Sequence, residues 1–128
     1  MEKEVIPIIA AVDDDFRIRE SIASLLESAG YAPLVFSSAE EFLQSGALAK
    51  ATCVITDVRM PGMDGIELNR RIRLQRPMLP VILISARYDP EVRRTALDEG
   101  AVDVLYKPFD ATDLIRIIQS ALTNSREN

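Results

Sequence analysis

Asp57 ends a short uncharged run, Cys53-Val54-Ile55-Thr56, and Pro61, Gly62 and Gly65 follow within eight residues. Proline fixes φ and glycine admits φ > 0, so the stretch after Asp57 is a shaped loop that holds its acid in place. Three other runs end in groups with chemistry of their own: Asp13-Asp14 after Val5 to Val12, Ser85 after Val81 to Ile84, and Lys107 after Val102 to Tyr106. Brought together, three carboxylates repel by roughly 3–4 kcal/mol per close pair at an effective dielectric of ~20. A hard divalent cation offsets that repulsion, and Mg²⁺ suits a site with one or two carboxylates, a carbonyl, waters and phosphate oxygens. A carboxylate beside Mg²⁺, an ammonium and a hydroxyl is equipped for phosphoryl transfer. Asp57 would stay ionised there and attack phosphorus to form an acyl phosphate.

The elements between these residues predict that they do meet. Val5 to Val12 reads as a buried strand with Pro7 near its start. Ile18, Ile22, Leu25, Leu26 and Ala29 then recur at helical spacing up to Gly30. Pro33 to Phe36 is a second strand, and Ser38-Ala39-Glu40-Glu41 has capping-box form ahead of a helix carrying Phe42 and Leu43. The strand ending at Asp57 is followed by a helix from Ile66 to about Gln75, broken at Arg76-Pro77. Val81 to Ser85 is the fourth strand, and Asp89-Pro90 opens a helix with Val92, Ala96 and Leu97 inward and a stop at Gly100. Val102 to Tyr106 is the fifth strand. Asp110 opens the last helix, with Leu114, Ile117, Ile118, Ala121 and Leu122 on one side and a polar tail at 124–128.

Five largely apolar strands alternating with five helices predict an α/β fold, a doubly wound five-stranded parallel sheet of order 2-1-3-4-5, flavodoxin-like. In such a sheet all strand carboxyl ends share one edge, and the first and third strands flank the switch point where ligands bind. Asp13, Asp14, Asp57, Ser85 and Lys107 therefore converge. Each alone has a dull explanation as a cap, a strand end or a surface charge. All being dull together is improbable.

Composition narrows the classes. A chain of 128 residues with 48% hydrophobic and 27% charged residues fits one globular domain, 1–128. A formal charge of −5 opposes direct nucleic-acid binding, and Arg70, Arg71, Arg73 and Arg76 read better as a solvated, partly ion-paired helix face. Met1-Glu2-Lys3-Glu4 precedes no signal core, and no apolar run approaches the ~20 residues of a membrane span, so a cytoplasmic location is expected. The lone Cys53 reads as a small buried hydrophobe. The absence of histidine removes Ser-His and Cys-His nucleophiles, histidine metal ligands and any role as phosphohistidine donor.

With these residues assembled, the chain resembles bacterial two-component response-regulator receiver domains, the CheY-like family. The resemblance rests on Val12-Asp13-Asp14-Asp15, Asp57-Val58-Arg59-Met60-Pro61-Gly62-Met63-Asp64-Gly65, Ile84-Ser85-Ala86 and Lys107-Pro108-Phe109, in order over essentially the whole chain. It implies that Asp57 accepts a phosphoryl group from a sensor histidine kinase or a phosphotransfer protein. Asp14, Asp57 and the Arg59 carbonyl would ligate Mg²⁺, with Asp13 acting directly or through water. Ser85 and Lys107 would hold phosphoryl oxygens, and the Lys107–Pro108 peptide would be cis. Such a receiver assists its own phosphorylation and dephosphorylation rather than serving as an enzyme. Output would pass through the fourth helix, fifth strand and fifth helix, residues 91–123, to an output domain or partner, with a homodimer on phosphorylation as one form. Phe36 to Leu43 and Asp57 to Pro61 lean towards receivers that precede LuxR-type DNA-binding domains.

One departure stands out. Three residues before Lys107, where many receivers carry a Tyr or Phe that turns inward on activation, this chain has Val104. Two rivals remain beside the receiver reading. A haloacid-dehalogenase-like Mg²⁺-dependent phosphatase would use Asp13 as its nucleophile and leave Asp57 unexplained. A binding-only pseudo-receiver would leave Ser85 and Lys107 without purpose.

Overall fold

The apolar runs become five strands: β1 (Ile8–Val12), β2 (Ala32–Phe36), β3 (Cys53–Asp57), β4 (Val81–Ser85) and β5 (Asp103–Tyr106). These come from a computed structural model that describes residues 5–126. The mixed-charge start at 1–4 and the last two residues of the polar tail lie outside the described residues. All strand pairs are parallel, in the order β2-β1-β3-β4-β5. The helices are α1 (Phe16–Ser28), α2 (Ala39–Gln44), α3 (Gly65–Gln75), α4 (Pro90–Asp98) and α5 (Ala111–Arg126). This is the doubly wound order predicted from alternation alone.

Because strand side chains alternate between faces, the sheet carries two cores. One face packs Val54, Leu83 and Val104 with Phe42, Leu68, Ile72 and Ala96. The other packs Ile9, Ile55, Ile82 and Ile84 with Ile22, Leu26, Leu114 and Ile118. Burying each large aliphatic side chain contributes about 1.5–3 kcal/mol, so β3 and β4, buried at all five positions, anchor the fold. Cys53 sits within this core, and burial pushes its thiol up to about 12, consistent with a packing role.

Several boundaries differ from expectation. β1 begins only at Ile8, because Val5 and Ile6 stand exposed before Pro7 and meet no neighbouring strand. Val102 likewise precedes β5, and at 40% exposure it contributes little to the core. Leu97, expected on the inner face of α4, is 37% exposed, and Ala96 alone of that helix is fully buried. The last helix runs through the beginning of the polar tail to Arg126. A 3₁₀ turn at Ala47–Ala49, entered through Gly46 at φ 83°, left no periodic signal in the sequence. The capping box is also shifted. Ser38 Oγ accepts from Glu41 N–H, but the Glu41 carboxylate accepts from the backbone N–H and hydroxyl of Ser37, one residue further back.

The arginines of α3 and its C-cap divide by position. Arg70 pairs with Glu99 and Glu67, and Arg71 with Glu67, as an ion-paired surface would. Arg73 donates instead to the carbonyls of Pro77 and Leu79, and Arg76 to those of Leu48 and Ala51. These two tie the end of the helix to adjacent loops. None of the described helices is long and apolar enough to cross a membrane.

Candidate functional site

Asp57 reaches the edge of the sheet because β3 is locked on both sides. Its residues pair with β1 through Cys53 to Thr56 and with β4 through Val54 to Asp57. The ladder continues one residue further, with Val58 N–H donating to Ile84 O at 2.8 Å. The chain then closes on itself, Gly65 N–H donating to Val58 O at 2.8 Å. At Gly65 no side chain fits: a Cβ would lie 2.2 Å from the Asp57 carbonyl oxygen. The glycine of this loop is thus required by close approach of α3 to the strand end.

The three consecutive aspartates after β1 take separate roles. Asp13, 2% exposed, accepts from Asp15 N–H through Oδ1 at 2.9 Å and faces Lys107 through Oδ2 at 3.3 Å. Its own carbonyl accepts from the Arg19 guanidinium, a contact with no counterpart in the sequence reading. Asp14 is exposed but offers an oxygen to the same cluster. Asp15 caps α1, accepting from Arg17 N–H. Capping explains one aspartate of the three.

Lys107 enters from the end of β5, its backbone N–H donating to Ser85 O at 2.8 Å. Its Nζ lies 3.3 Å from Asp13 Oδ2 and 3.6 Å from Asp57 Oδ2. The Lys107–Pro108 peptide is cis. Asp13, Asp14 and Asp57 place one carboxylate oxygen each within 4.8 Å of one another. Burial raises the Asp57 carboxyl above its usual range, and the neighbouring Asp13 and Asp14 add to this. Lys107 and the Arg59 backbone N–H oppose the rise without cancelling it.

One ammonium against three carboxylates leaves a formal charge of −2. The donors are all hard oxygens, and Asp14 keeps one side open to water. That set fits Mg²⁺, which retains several waters and takes few carboxylates. It does not resemble the nitrogen and sulfur environment of zinc or copper. Arg59 is exposed, and its backbone N–H is among the groups that lower the Asp57 carboxyl.

Ser85, 4% exposed, is turned towards its own loop: Oγ donates to Arg87 O at 2.8 Å and accepts from Arg87 N–H at 3.2 Å. Val104 is buried on the face of α4, as its position requires. The same face also carries an aromatic ring. Tyr106, two residues on and hence on the same side of β5, is in register with Ser85 and lies 5.2 Å from the Tyr88 ring. Its hydroxyl is buried without a partner. Strand alternation was the available signal, since residues 104 and 106 share parity.

Known proteins agree with this geometry. Residues 9–119 match the response regulator receiver domain family. The chain is 40% identical over 114 residues to the transcriptional regulatory protein FixJ of Bradyrhizobium diazoefficiens, covering 89% of this chain and 56% of that one. It is 36% identical over 120 residues to the DNA-binding transcriptional regulator NtrC of Escherichia coli K12, covering 94% and 26%. The chain therefore spans about half the length of FixJ and about a quarter of NtrC. The chemotaxis protein CheY4 of Vibrio cholerae superposes with a TM-score of 0.86 at 29% identity, over 92% of this chain and all of that one. Neither rival reading gains support from these matches, and the Asp13 carboxylate, engaged at both oxygens, is poorly placed as a nucleophile. The chain belongs to the response-regulator receiver domains, the phosphoacceptor switches of two-component signalling.

Proposed function

We propose that Asp57 is the phosphoacceptor. One of its carboxylate oxygens attacks the phosphorus of a phosphohistidine on a kinase or phosphotransfer protein. The P–N bond breaks as the P–O bond of the acyl phosphate forms, and the imidazole leaves with the bonding pair. The observation that carries this reading is Lys107 Nζ, held between Asp57 and Asp13 at 3.6 and 3.3 Å. A cation in that place can follow charge onto the transferred oxygens. Asp13, Asp14, Asp57 and the Arg59 carbonyl would hold Mg²⁺, which supplies neutralisation of the phosphoryl charge when bound.

Ser85 has one hydroxyl proton, now donated to Arg87 O. Donating it to a phosphoryl oxygen instead leaves that carbonyl without its partner, so the β4–α4 loop must rearrange. Tyr88 belongs to that loop and rests on Tyr106, which extends the change towards α4, β5 and α5, residues 91–123. This face would meet the output domain or partner, or a second copy on phosphorylation. The segment itself is a single receiver domain over 1–128 that binds no nucleic acid, works in the cytoplasm, and acts as a switch rather than an enzyme.

Beryllofluoride, an analogue of the phosphoryl group, tests the reading without a kinase. With Mg²⁺ it should shift the amide resonances of Asp57, Ser85, Lys107 and Tyr88 together. Shifts confined to the surface, or none in the presence of Mg²⁺, would refute the assignment.

A further inference from the structure

The loop after Asp57 is anchored at both ends by its own neighbours. Val58 bonds to Ile84 and Gly65, and Asp64 caps α3 by accepting from Glu67 N–H at 2.9 Å. Its middle is held from elsewhere. Met63 N–H donates to Glu40 Oε2 at 2.9 Å, across 23 residues of sequence. Glu40 lies in the first turn of α2, and that turn is fixed independently by the bonds among Ser37, Ser38 and Glu41. Two adjacent glutamates thus divide the work, Glu41 closing the helix start and Glu40 reaching the loop.

Gly62 confirms how closely the two segments meet. It stands at φ 76°, and a Cβ there would lie 2.7 Å from the same Glu40 oxygen. The bond to Met63 also holds the Glu40 carboxyl below its usual range.

We propose that Glu40 is a positioning residue for the phosphoacceptor site, holding the 59–63 loop in the arrangement that metal and phosphoryl group require. The inference rests on the reading of Asp57 and its neighbours given above. Arg59 lies two residues after Asp57 and four before Met63, so the loop's anchored midpoint limits how far that segment can wander. Without Glu40 the arrangement must be imposed during binding, which costs affinity. Partners one shell removed from a metal typically change its affinity by about 10- to 100-fold. An exposed anchor acting through backbone should give less, about threefold to tenfold.

The test compares three variants of the whole chain, with Mg²⁺ as the probe. Amide exchange in the metal-free protein should show Met63 losing protection in Glu40→Ala. Calorimetry should then show the Mg²⁺ dissociation constant rising about threefold to tenfold. Glu40→Gln keeps an oxygen acceptor without charge and should recover most of the affinity. Glu41→Ala loosens α2 but leaves the loop anchor, so it should lower the melting temperature while changing Mg²⁺ affinity less than about twofold. Unchanged affinity in Glu40→Ala would overturn the proposal. So would a Glu40→Gln variant as weak as the alanine, which would make charge the cause, or a Glu41→Ala variant equally weak. Wild-type protein that binds no Mg²⁺ would instead refute the underlying site and the proposal with it.

Discussion

Lys107 Nζ lies 3.6 Å from Asp57 Oδ2, with Asp13 Oδ2 on its other side at 3.3 Å. The ammonium offsets part of the repulsion among the carboxylates in the metal-free protein. Lys107→Ala should therefore lower metal-free stability, while the three carboxylate ligands remain to bind Mg²⁺. Calorimetric titration should give an Mg²⁺ affinity equal to or tighter than wild type, since a competing cation is gone. A large loss of metal affinity would show that Lys107 organises the cluster rather than balancing it.

The raised Asp57 carboxyl predicts how metal-free stability depends on pH. The folded state holds this proton more tightly than the unfolded chain, whose aspartates titrate near ~4. Ionising Asp57 therefore costs folding free energy, and its contribution falls as pH rises from about 4 through the raised folded value. Asp57→Asn removes that cost. Without metal the variant should be more stable than wild type at pH 7, and the difference should shrink as pH falls through the raised folded value and be gone by ~4. Urea titrations at several pH values in chelator check this. A metal-free variant less stable than wild type at neutral pH would contradict it.

Mg²⁺ should reverse that order. It binds the native cluster alone, so at ~100 times its dissociation constant it adds roughly 2.7 kcal/mol to wild type. Asp57→Asn loses one direct charge and should gain less at the same concentration. A wild-type melting temperature that millimolar Mg²⁺ leaves unmoved would count against the metal site.

Gly65→Ala should be among the most damaging small substitutions in the chain. The new Cβ would meet the Asp57 carbonyl at 2.2 Å, and backbone must move to admit it. Overpacking of this kind costs about 1–3 kcal/mol. Urea denaturation should show that loss, and Mg²⁺ affinity should fall with it because the displaced carbonyl belongs to the phosphoacceptor. A variant with wild-type stability and wild-type Mg²⁺ affinity would mean that the α3 start yields freely.

The switch itself should be graded. A hydrogen bond from Ser85 to a charged oxygen contributes on the order of 1.5–3 kcal/mol, against the ~5.5 kcal/mol of a near-complete two-state swing. Relaxation dispersion with beryllofluoride and Mg²⁺ should find intermediate populations for α4. Ser85→Ala should reduce them further, and Tyr106→Ala should uncouple Tyr88 from β5. A complete monomer switch indifferent to Ser85→Ala would place the transmission elsewhere.

Strand alternation and the residues closing each strand made the sheet order and the meeting of Asp13, Asp14, Asp57 and Lys107 legible from the chain itself. Those features are local or topological. Glu40 and Arg19 were not legible, because their partners are set by how α2 and α1 seat against distant or neighbouring backbone rather than by any spacing. The side of β5 on which Tyr106 lies is legible from strand parity, but its packing on Tyr88 is not, because the β4–α4 loop has no periodic pattern. Ser85 ends β4 as expected, and what its hydroxyl does at rest, donating to Arg87 O in the β4–α4 loop, has no signature in the sequence. Val5 and Ile6 lie before β1 and stand exposed, because hydrophobicity marks a strand only where there is a neighbour to pair with and a core to enter.

The central claim is that Asp57 carries the phosphoryl group, and site-resolved labelling measures it. Wild-type protein incubated with acetyl phosphate and Mg²⁺ should gain one phosphoryl group that hydroxylamine removes, as an acyl phosphate requires. Asp57→Ala should gain none, while Asp13→Ala should label more slowly but still at Asp57. Labelling that persists in Asp57→Ala and vanishes in Asp13→Ala would contradict the account.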